Sequence, residues 1–295
     1  MKICRFVRQG EDAIRIGLVE EGAVYDVSAV AEELPPLRWP VPPQDHFIAH
    51  LEHLRHKMEA LRKQASPIPL SAISLKSPVA NPGKFLCGVG NYSPTTPPSH
   101  DPRALGLLFK MVSASAGAGD GVTIRWSDRT TSHEMEIAIV IGRTGTRITA
   151  GSALRYVAGY AIGLDMTMQG KEFPSFCKSF DSYGVIGPWM VTADEIPDPS
   201  KLSFCLKVNG EIRQQESLGQ LILGVPQLIE HISSVMTLHP GDVIFSGTPP
   251  WSVAPVVPGD VMHAQMDGIG EMTVVVSAGE PGKQPTYGTP RDRGR

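Results

Sequence analysis

Glu134 and Glu136 flank a methionine at the start of the run EMEIAIVIG, and Asp165 closes the later run YVAGYAIGLD. The first run is β-branched and apolar up to a glycine, the composition of a strand. Side chains two apart on a strand share a face, so both glutamates project together while Met135 projects oppositely. A second strand, from Tyr156 to Leu164, delivers Asp165 at its exit. Two like charges ~4 Å apart cost about 4 kcal/mol at an effective dielectric near 20, so three convergent carboxylates call for a counter-charge. A hard divalent cation supplies it, and an all-oxygen donor set favours Mg²⁺, Mn²⁺ or Ca²⁺ over Zn²⁺. The competing reading of Glu-x-Glu is a solvated polar strand face.

The segments around these residues set what can position them. Ile3–Val7, Ile14–Val19 and Ala23–Val27 are strand-like and separated by turns at Gln9-Gly10 and Glu21-Gly22, which predicts a small antiparallel sheet. A proline-rich linker, Pro35 to Pro43, precedes Phe47, Ile48, Leu51, Leu54, Met58 and Leu61, whose spacing predicts an amphipathic helix. His46, His50 and His53 fall on its other flank without metal-ligand spacing and read as solvated. From Lys84 to Ala278 many short β-like runs alternate with Gly, Pro and Asp, and Val225–Met236 is the clearest helical window. The fold class is therefore α/β and β-rich, with mixed strand connections rather than a doubly wound parallel sheet. Residues 1–80 form a small N-terminal domain of strands plus a helix, and residues 81–278 a larger β-rich domain. The Gly/Pro-rich stretch 279–295 reads as a disordered tail.

Composition narrows the function classes. The chain has 295 residues, 41% hydrophobic and 19% charged, with a net charge of −3, so it carries no general nucleic-acid footprint. No apolar run approaches the ~20 residues that span a bilayer, and the N-terminus lacks a signal-peptide core, so no membrane partner is expected. Cys4, Cys87, Cys177 and Cys205 are scattered and read as reduced thiols of a cytoplasmic protein.

Several phrases, in order, resemble the fumarylacetoacetate hydrolase superfamily. They are KFLCGVGNY (84–92), LFKMVSAS (108–115), EMEIAIVIGR (134–143), AGYAIGLDMT (158–167), KSFDSYGVIGPWMVT (178–192), VNGEIRQ (208–214) and MTLHPGDVIFSGTP (236–249). The resemblance covers roughly residues 80–278 and implies a β-roll-like domain around a divalent cation, commonly in a homodimer. It implies Glu134, Glu136 and Asp165 as metal ligands and Lys178 as the active-site lysine. Thr248, in a Gly-Thr-Pro turn, Lys110 and Tyr92 are implied on the substrate side. Family substrates are 2-oxo or 1,3-dicarbonyl acids, whose reactions share an enolate that a fixed cation and Lys178 would stabilise. If Lys178 serves the enolate rather than the fold, Lys178→Ala should slow turnover with little change in melting temperature. The competing readings are a surface lysine before a turn for Lys178 and a turn residue for Thr248. Lys110 and Arg143 could hold an anionic substrate or be ordinary charged strand ends.

Three departures bear on the reaction. The His-x-x-Glu pair with which hydrolytic members activate water is absent, because Asn91-Tyr92 is followed by SPTTPPSHDPRALG, a run too rich in proline for the usual lid helix. His100, beside Asp101, is the nearby imidazole that could substitute as base. Gln169-Gly170 stands where an arginine usually follows the aspartate strand, and Trp251 takes the place of a glycine after the Gly-Thr-Pro turn. The leading expectation is metal-dependent hydrolysis of a C–C bond in a small acylpyruvate-like acid, in the catabolism of an aromatic compound or sugar acid. The alternatives are decarboxylation, isomerisation or hydration of a related 2-oxo acid, or a silent relative that only binds one.

Overall fold

The computed structural model describes residues 1–280, so the tail expected from Gly279 lies almost wholly outside the described residues. The central element is a 12-stranded mixed sheet. Its middle is the strand Met135–Ile141, paired antiparallel on one side with Val157–Asp165 and on the other with Val243–Phe245. Val243–Phe245 in turn runs parallel to Phe85–Cys87, and Val157–Asp165 pairs antiparallel with Gly184–Thr192.

Pleat periodicity is visible in the packing. Met135, Ile137, Ile139 and Ile141 enter one hydrophobic cluster, while Ala138 and Val140 enter a second cluster on the other face. Both faces of this strand are covered, which is why it reads as a continuous apolar run rather than an alternating one. Glu134 and Glu136 continue the Ala138–Val140 row toward the strand's start.

A five-stranded sheet, Glu211–Ser217, Ser203–Val208, Val261–Met266, Gly270–Ala278 and Val122–Ile124, is not hydrogen-bonded to the central one but packs in the same hydrophobic cluster as Met135, Ile137, Ile139 and Ile141. A three-stranded sheet pairs Thr131–His133 with Thr167–Met168 and with Ala254–Val256. The longer helices are His46–Arg62 and Val225–Val235. The first matches the expected amphipathic helix, with Ile48, Leu51, Leu54 and Met58 on its buried stripe.

The N-terminal strands Lys2–Arg8, Arg15–Glu20 and Ala23–Asp26 form the expected antiparallel set, and they do not stop there. Lys2 and Ile3 pair with Val191 and Met190, so the N-terminal strands extend the central sheet. Among the described residues no helix is long and apolar enough to cross a membrane.

Candidate active site

Register brings the three carboxylates together. Glu136 lies opposite Gly163, and the Asp165 N–H donates to the Glu134 carbonyl at 2.8 Å, which sets the aspartate beside the glutamate pair. One carboxylate oxygen from each of Glu134, Glu136 and Asp165 falls within 4.8 Å of the others. Glu136 and Asp165 are each 1% exposed; Glu134 lies nearer the surface.

Two lysines face this cluster. Lys178 leaves the short helix Pro174–Cys177 and sets its ammonium 2.7 Å from Asp165 Oδ2 and 2.9 Å from Glu134 Oε2. It also donates to Thr167 Oγ1 at 2.6 Å, and that hydroxyl donates to Glu134 Oε1 at 2.6 Å. Lys110 is buried on the other side, 2.7 Å from Asp165 Oδ1. Its N–H groups are directed at the carbonyls of Tyr183 (3.0 Å), Met166 (3.4 Å) and Lys178. The Lys110–Asp165 contact is a buried, charge-assisted one at hydrogen-bonding distance.

Full ionisation would unbalance the charges: three carboxylates against two ammonium groups would leave one net negative charge in a buried volume. Burial, then Asp165, then Glu134 push the Glu136 carboxyl well above the usual carboxylate range, against the pull of Lys178 and the Gly247 N–H. Burial alone would raise Asp165 too, yet Lys110 and Lys178 outweigh it and hold this carboxyl low. Burial favours a neutral Lys178, but Asp165 and Glu134 keep its pKa above the ordinary lysine value. Three hard carboxylate oxygens within 4.8 Å of one another, whose full ionisation two ammonium groups would not offset, fit a divalent cation.

The Gly-Thr-Pro turn closes the other side. Gly247 adopts a left-handed backbone (φ +91°) that suits glycine, and its N–H donates to Glu136 Oε2 at 2.5 Å. Thr248 Oγ1 donates to the Met135 carbonyl at 3.0 Å and accepts from Gln214 Nε2 at 2.8 Å. Its hydroxyl proton is thus committed to the Met135 carbonyl. Tyr92 is buried, and burial followed by Glu136 and Glu216 raises its phenol pKa.

His100 is an exposed loop residue whose Nε2 lies 2.6 Å from the Gly90 carbonyl, two residues before Tyr92. Its neighbour Asp101 is tied to Arg103 (2.7 Å) instead. The structure therefore gathers Glu134, Glu136, Asp165, Lys178 and Lys110 in one cluster, with Thr248 at its edge. His100 sits over the segment that carries Tyr92, without Asp101 as a partner. Arg143 lies beyond the far end of Met135–Ile141 from Glu134, away from the cluster.

Sequence reasoning did not find Thr167 or Gln214. Gln214 is buried; its amide oxygen accepts from the Met135 N–H (2.8 Å) and faces His133 Nδ1 (3.1 Å), while its nitrogen reaches Thr248 and Ser252. The signal was a polar residue in an otherwise exposed strand, which composition alone does not separate from its neighbours.

A model of the fumarylacetoacetate hydrolase C-terminal family matches residues 87–277. The chain belongs to the fumarylacetoacetate hydrolase family. It is 45% identical over 290 residues to a maleylpyruvate hydrolase of Aquipseudomonas alcaligenes, spanning 94% of this chain and 99% of the relative. The crystal structure of maleylpyruvate hydrolase from Sphingobium sp. SYK-6 with manganese(II) and pyruvate superposes with a TM-score of 0.81 at 35% identity, covering 95% of this chain and all of that one. A mitochondrial oxaloacetate tautomerase of Bos taurus is 33% identical over 204 residues, 65% of this chain and 63% of the relative. The chain is a family enzyme, a hydrolase that depends on a divalent metal.

Proposed function

We propose that this protein cleaves the C–C bond of an acylpyruvate, adding water to release pyruvate and a carboxylic acid. Maleylpyruvate is the first substrate to test. The observation that carries this reading is the carboxylate cluster with Lys178 at 2.7 and 2.9 Å, in a chain so similar to a maleylpyruvate hydrolase.

A divalent cation held by Glu134, Glu136 and Asp165 would supply Lewis-acid polarisation of the substrate's adjacent oxygens. Mg²⁺ is the proposed resident ion, on the hardness of the donors, with Mn²⁺ or Ca²⁺ as substitutes. Lys178 presents a charged ammonium at the mouth of the cluster, where it opposes the negative charge that develops as the C–C bond breaks. Lys110 holds Asp165 ionised and fixes the Lys178 backbone. With the Thr248 hydroxyl engaged, the turn can offer a substrate carboxylate the Thr248 main-chain N–H. Tyr92, buried within electrostatic reach of Glu136, is proposed on the substrate side of the cluster. Water addition needs a base, and His100 is the imidazole assigned to it; the water's hydroxyl goes to the acyl carbon and a proton to the departing pyruvate carbon.

A second reading is keto–enol isomerisation or decarboxylation of a related 2-oxo acid. It is favoured by His100 lacking a carboxylate partner and by the similarity to an oxaloacetate tautomerase. A role in aromatic-compound catabolism, a homodimer and a cytoplasmic setting belong to the same proposal, the last supported by thiols that are free and mostly buried. The test is turnover of acylpyruvates and oxaloacetate with added Mg²⁺ or Mn²⁺, followed by loss of enol absorbance and release of CO₂. Pyruvate formation from an acylpyruvate supports hydrolysis; CO₂ or tautomer formation alone moves the assignment to the second reading.

A further inference from the structure

The turn after Thr248 carries Trp251 where the family pattern has a glycine. Its indole N–H donates to Glu216 Oε1 at 3.0 Å. Its ring meets Tyr92 edge to face, with centroids 6.4 Å apart and planes at 86°. The turn itself is fastened by Gln214, which donates to both Thr248 and Ser252, while Ser252 donates back to the Pro249 carbonyl at 3.1 Å. Glu216 is two residues from Gln214 on Glu211–Ser217, so the two side chains share a strand face. Beneath the indole, Asn91 fixes the Tyr92 backbone through bonds to Leu223 and Ser246. Despite these restraints Trp251 remains 49% exposed. Immobilising a large ring costs side-chain entropy, and water gives nothing back on its open face.

We propose that Trp251 is a specificity-determining wall of the active site, its open face receiving the planar, conjugated acyl arm of the substrate. Glu216 is the positioning residue that holds the indole. The inference rests on the acylpyruvate reading above. The 2-oxo acid end belongs at the carboxylates, which the turn touches through Gly247, and the indole follows the same turn outward. Because the N–H is spent on Glu216, the indole offers substrate a π face and no donor. A flat unsaturated chain covers that face; a tetrahedral saturated acyl group covers less of it.

The experiment compares kcat/KM for maleylpyruvate, conjugated, and acetylpyruvate, which is not, in the parent, Trp251→Ala, Glu216→Leu and Glu216→Gln, with Mn²⁺. Trp251→Ala should shift the ratio against maleylpyruvate by roughly 5–10-fold. Glu216→Leu should shift it the same way, chiefly through KM, with loss of a near-ultraviolet circular dichroism band; Glu216→Gln, which keeps an acceptor oxygen, should restore both. Equal losses on the two substrates, or an unchanged ratio, overturn the proposal. If the parent hydrolyses neither acid, the reaction assignment fails. The wall is then judged by calorimetric affinities for the two acids, where a ratio unchanged by Trp251→Ala overturns it.

Discussion

Glu136 is buried beside two other carboxylates, Asp165 and Glu134. Its raised pKa means that, at pH values between the unfolded and folded ones, the metal-free folded state holds a proton there which the unfolded chain has lost. The Glu136 contribution is therefore favourable below its unfolded value and falls away as pH rises toward the folded one. Asp165 runs the other way: its contribution is present above its unfolded value and is lost as pH falls toward the lowered folded one. If the proposed ligand set holds, a cation bound at Glu136 would displace that proton, so binding should release about one proton and tighten with rising pH. Calorimetry in buffers of different ionisation enthalpy reads this directly, and a heat independent of buffer rules it out. Glu136→Gln should raise the metal-free melting temperature at pH 8 while weakening metal binding by on the order of 10²–10³-fold, as loss of one unit charge near a cation predicts. Lys178 changes its expected phenotype once its surroundings are known. A surface lysine could be removed without cost to stability, but this one is enclosed by Glu134 and Asp165. Lys178→Ala should cost about 3–5 kcal/mol without metal, since it leaves buried carboxylates uncompensated, and added Mn²⁺ should recover part of that. Turnover should fall sharply in either state. A metal-free melting temperature equal to the parent's would contradict this placement.

At the scale of elements, the proposed hydrolysis turns on the loop from Ser93 to Gly106, which carries His100. Its prolines exclude a regular lid helix, and the structure has only a single turn of 3₁₀ helix there, Pro102–Leu105. His100 folds back onto Gly90, whose φ of +58° and close approach to the imidazole favour a residue without a side chain. His100→Ala is expected to cost acylpyruvate hydrolysis about 10²–10⁴-fold, the usual worth of a general base, and to spare oxaloacetate decarboxylation. Equal hydrolysis in mutant and parent would remove His100 from the mechanism. The longer elements were legible beforehand because periodicity needs length to register. Met135–Ile141, Val157–Asp165 and His46–Arg62 each run for seven residues or more and fall close to where the pattern put them. Thr131–His133, Thr167–Met168 and Ala254–Val256 have two or three residues each, too few for any period, and were not anticipated. Thr167, the hydroxyl between Lys178 and Glu134, sits on one of these, which is why it was missed. The i, i+2 spacing showed that the two glutamates share a face, and the family resemblance added Asp165 and the metal role; the contacts to Lys110, Lys178 and Thr167 depend on long-range pairing that no local pattern encodes.

Across the whole molecule, the boundary drawn at residue 80 separates sequence textures that share one sheet and one core. Ile3, Leu18, Leu54 and Met58 pack in the same cluster as Phe85, Cys87, Ala138 and Phe245. Asp45 fastens the seam. One oxygen caps the helix through the Ile48 N–H (3.0 Å), and the other accepts from Ala80 (3.0 Å) and Asn81 (2.9 Å). Its own N–H donates to the Pro240 carbonyl at 2.8 Å. Beside it Lys84 pairs with buried Asp242 at 2.7 Å, one residue before the strand Val243–Phe245 that leads to Gly247 and Thr248. Asp45→Ala removes a helix cap, worth about 0.5–2 kcal/mol, and strands two partly buried N–H groups. The total loss should be about 2–4 kcal/mol, read as a lower denaturation midpoint. A fragment of residues 81–280 should fare worse. It would open the edge of Gly184–Thr192 and bare the apolar face now covered by the helix, the combination that drives edge-to-edge aggregation. The expected result is insoluble or molten protein, checked by solubility and near-ultraviolet circular dichroism. A fragment that stays monomeric, cooperative and metal-binding would mean that the larger segment folds alone and that the seam at Asp45 is decoration. If the fragment fails while Asp45→Ala keeps its kcat and loses only stability, the N-terminal strands serve catalysis indirectly, by holding the sheet that sets the register of Glu136 against Gly247.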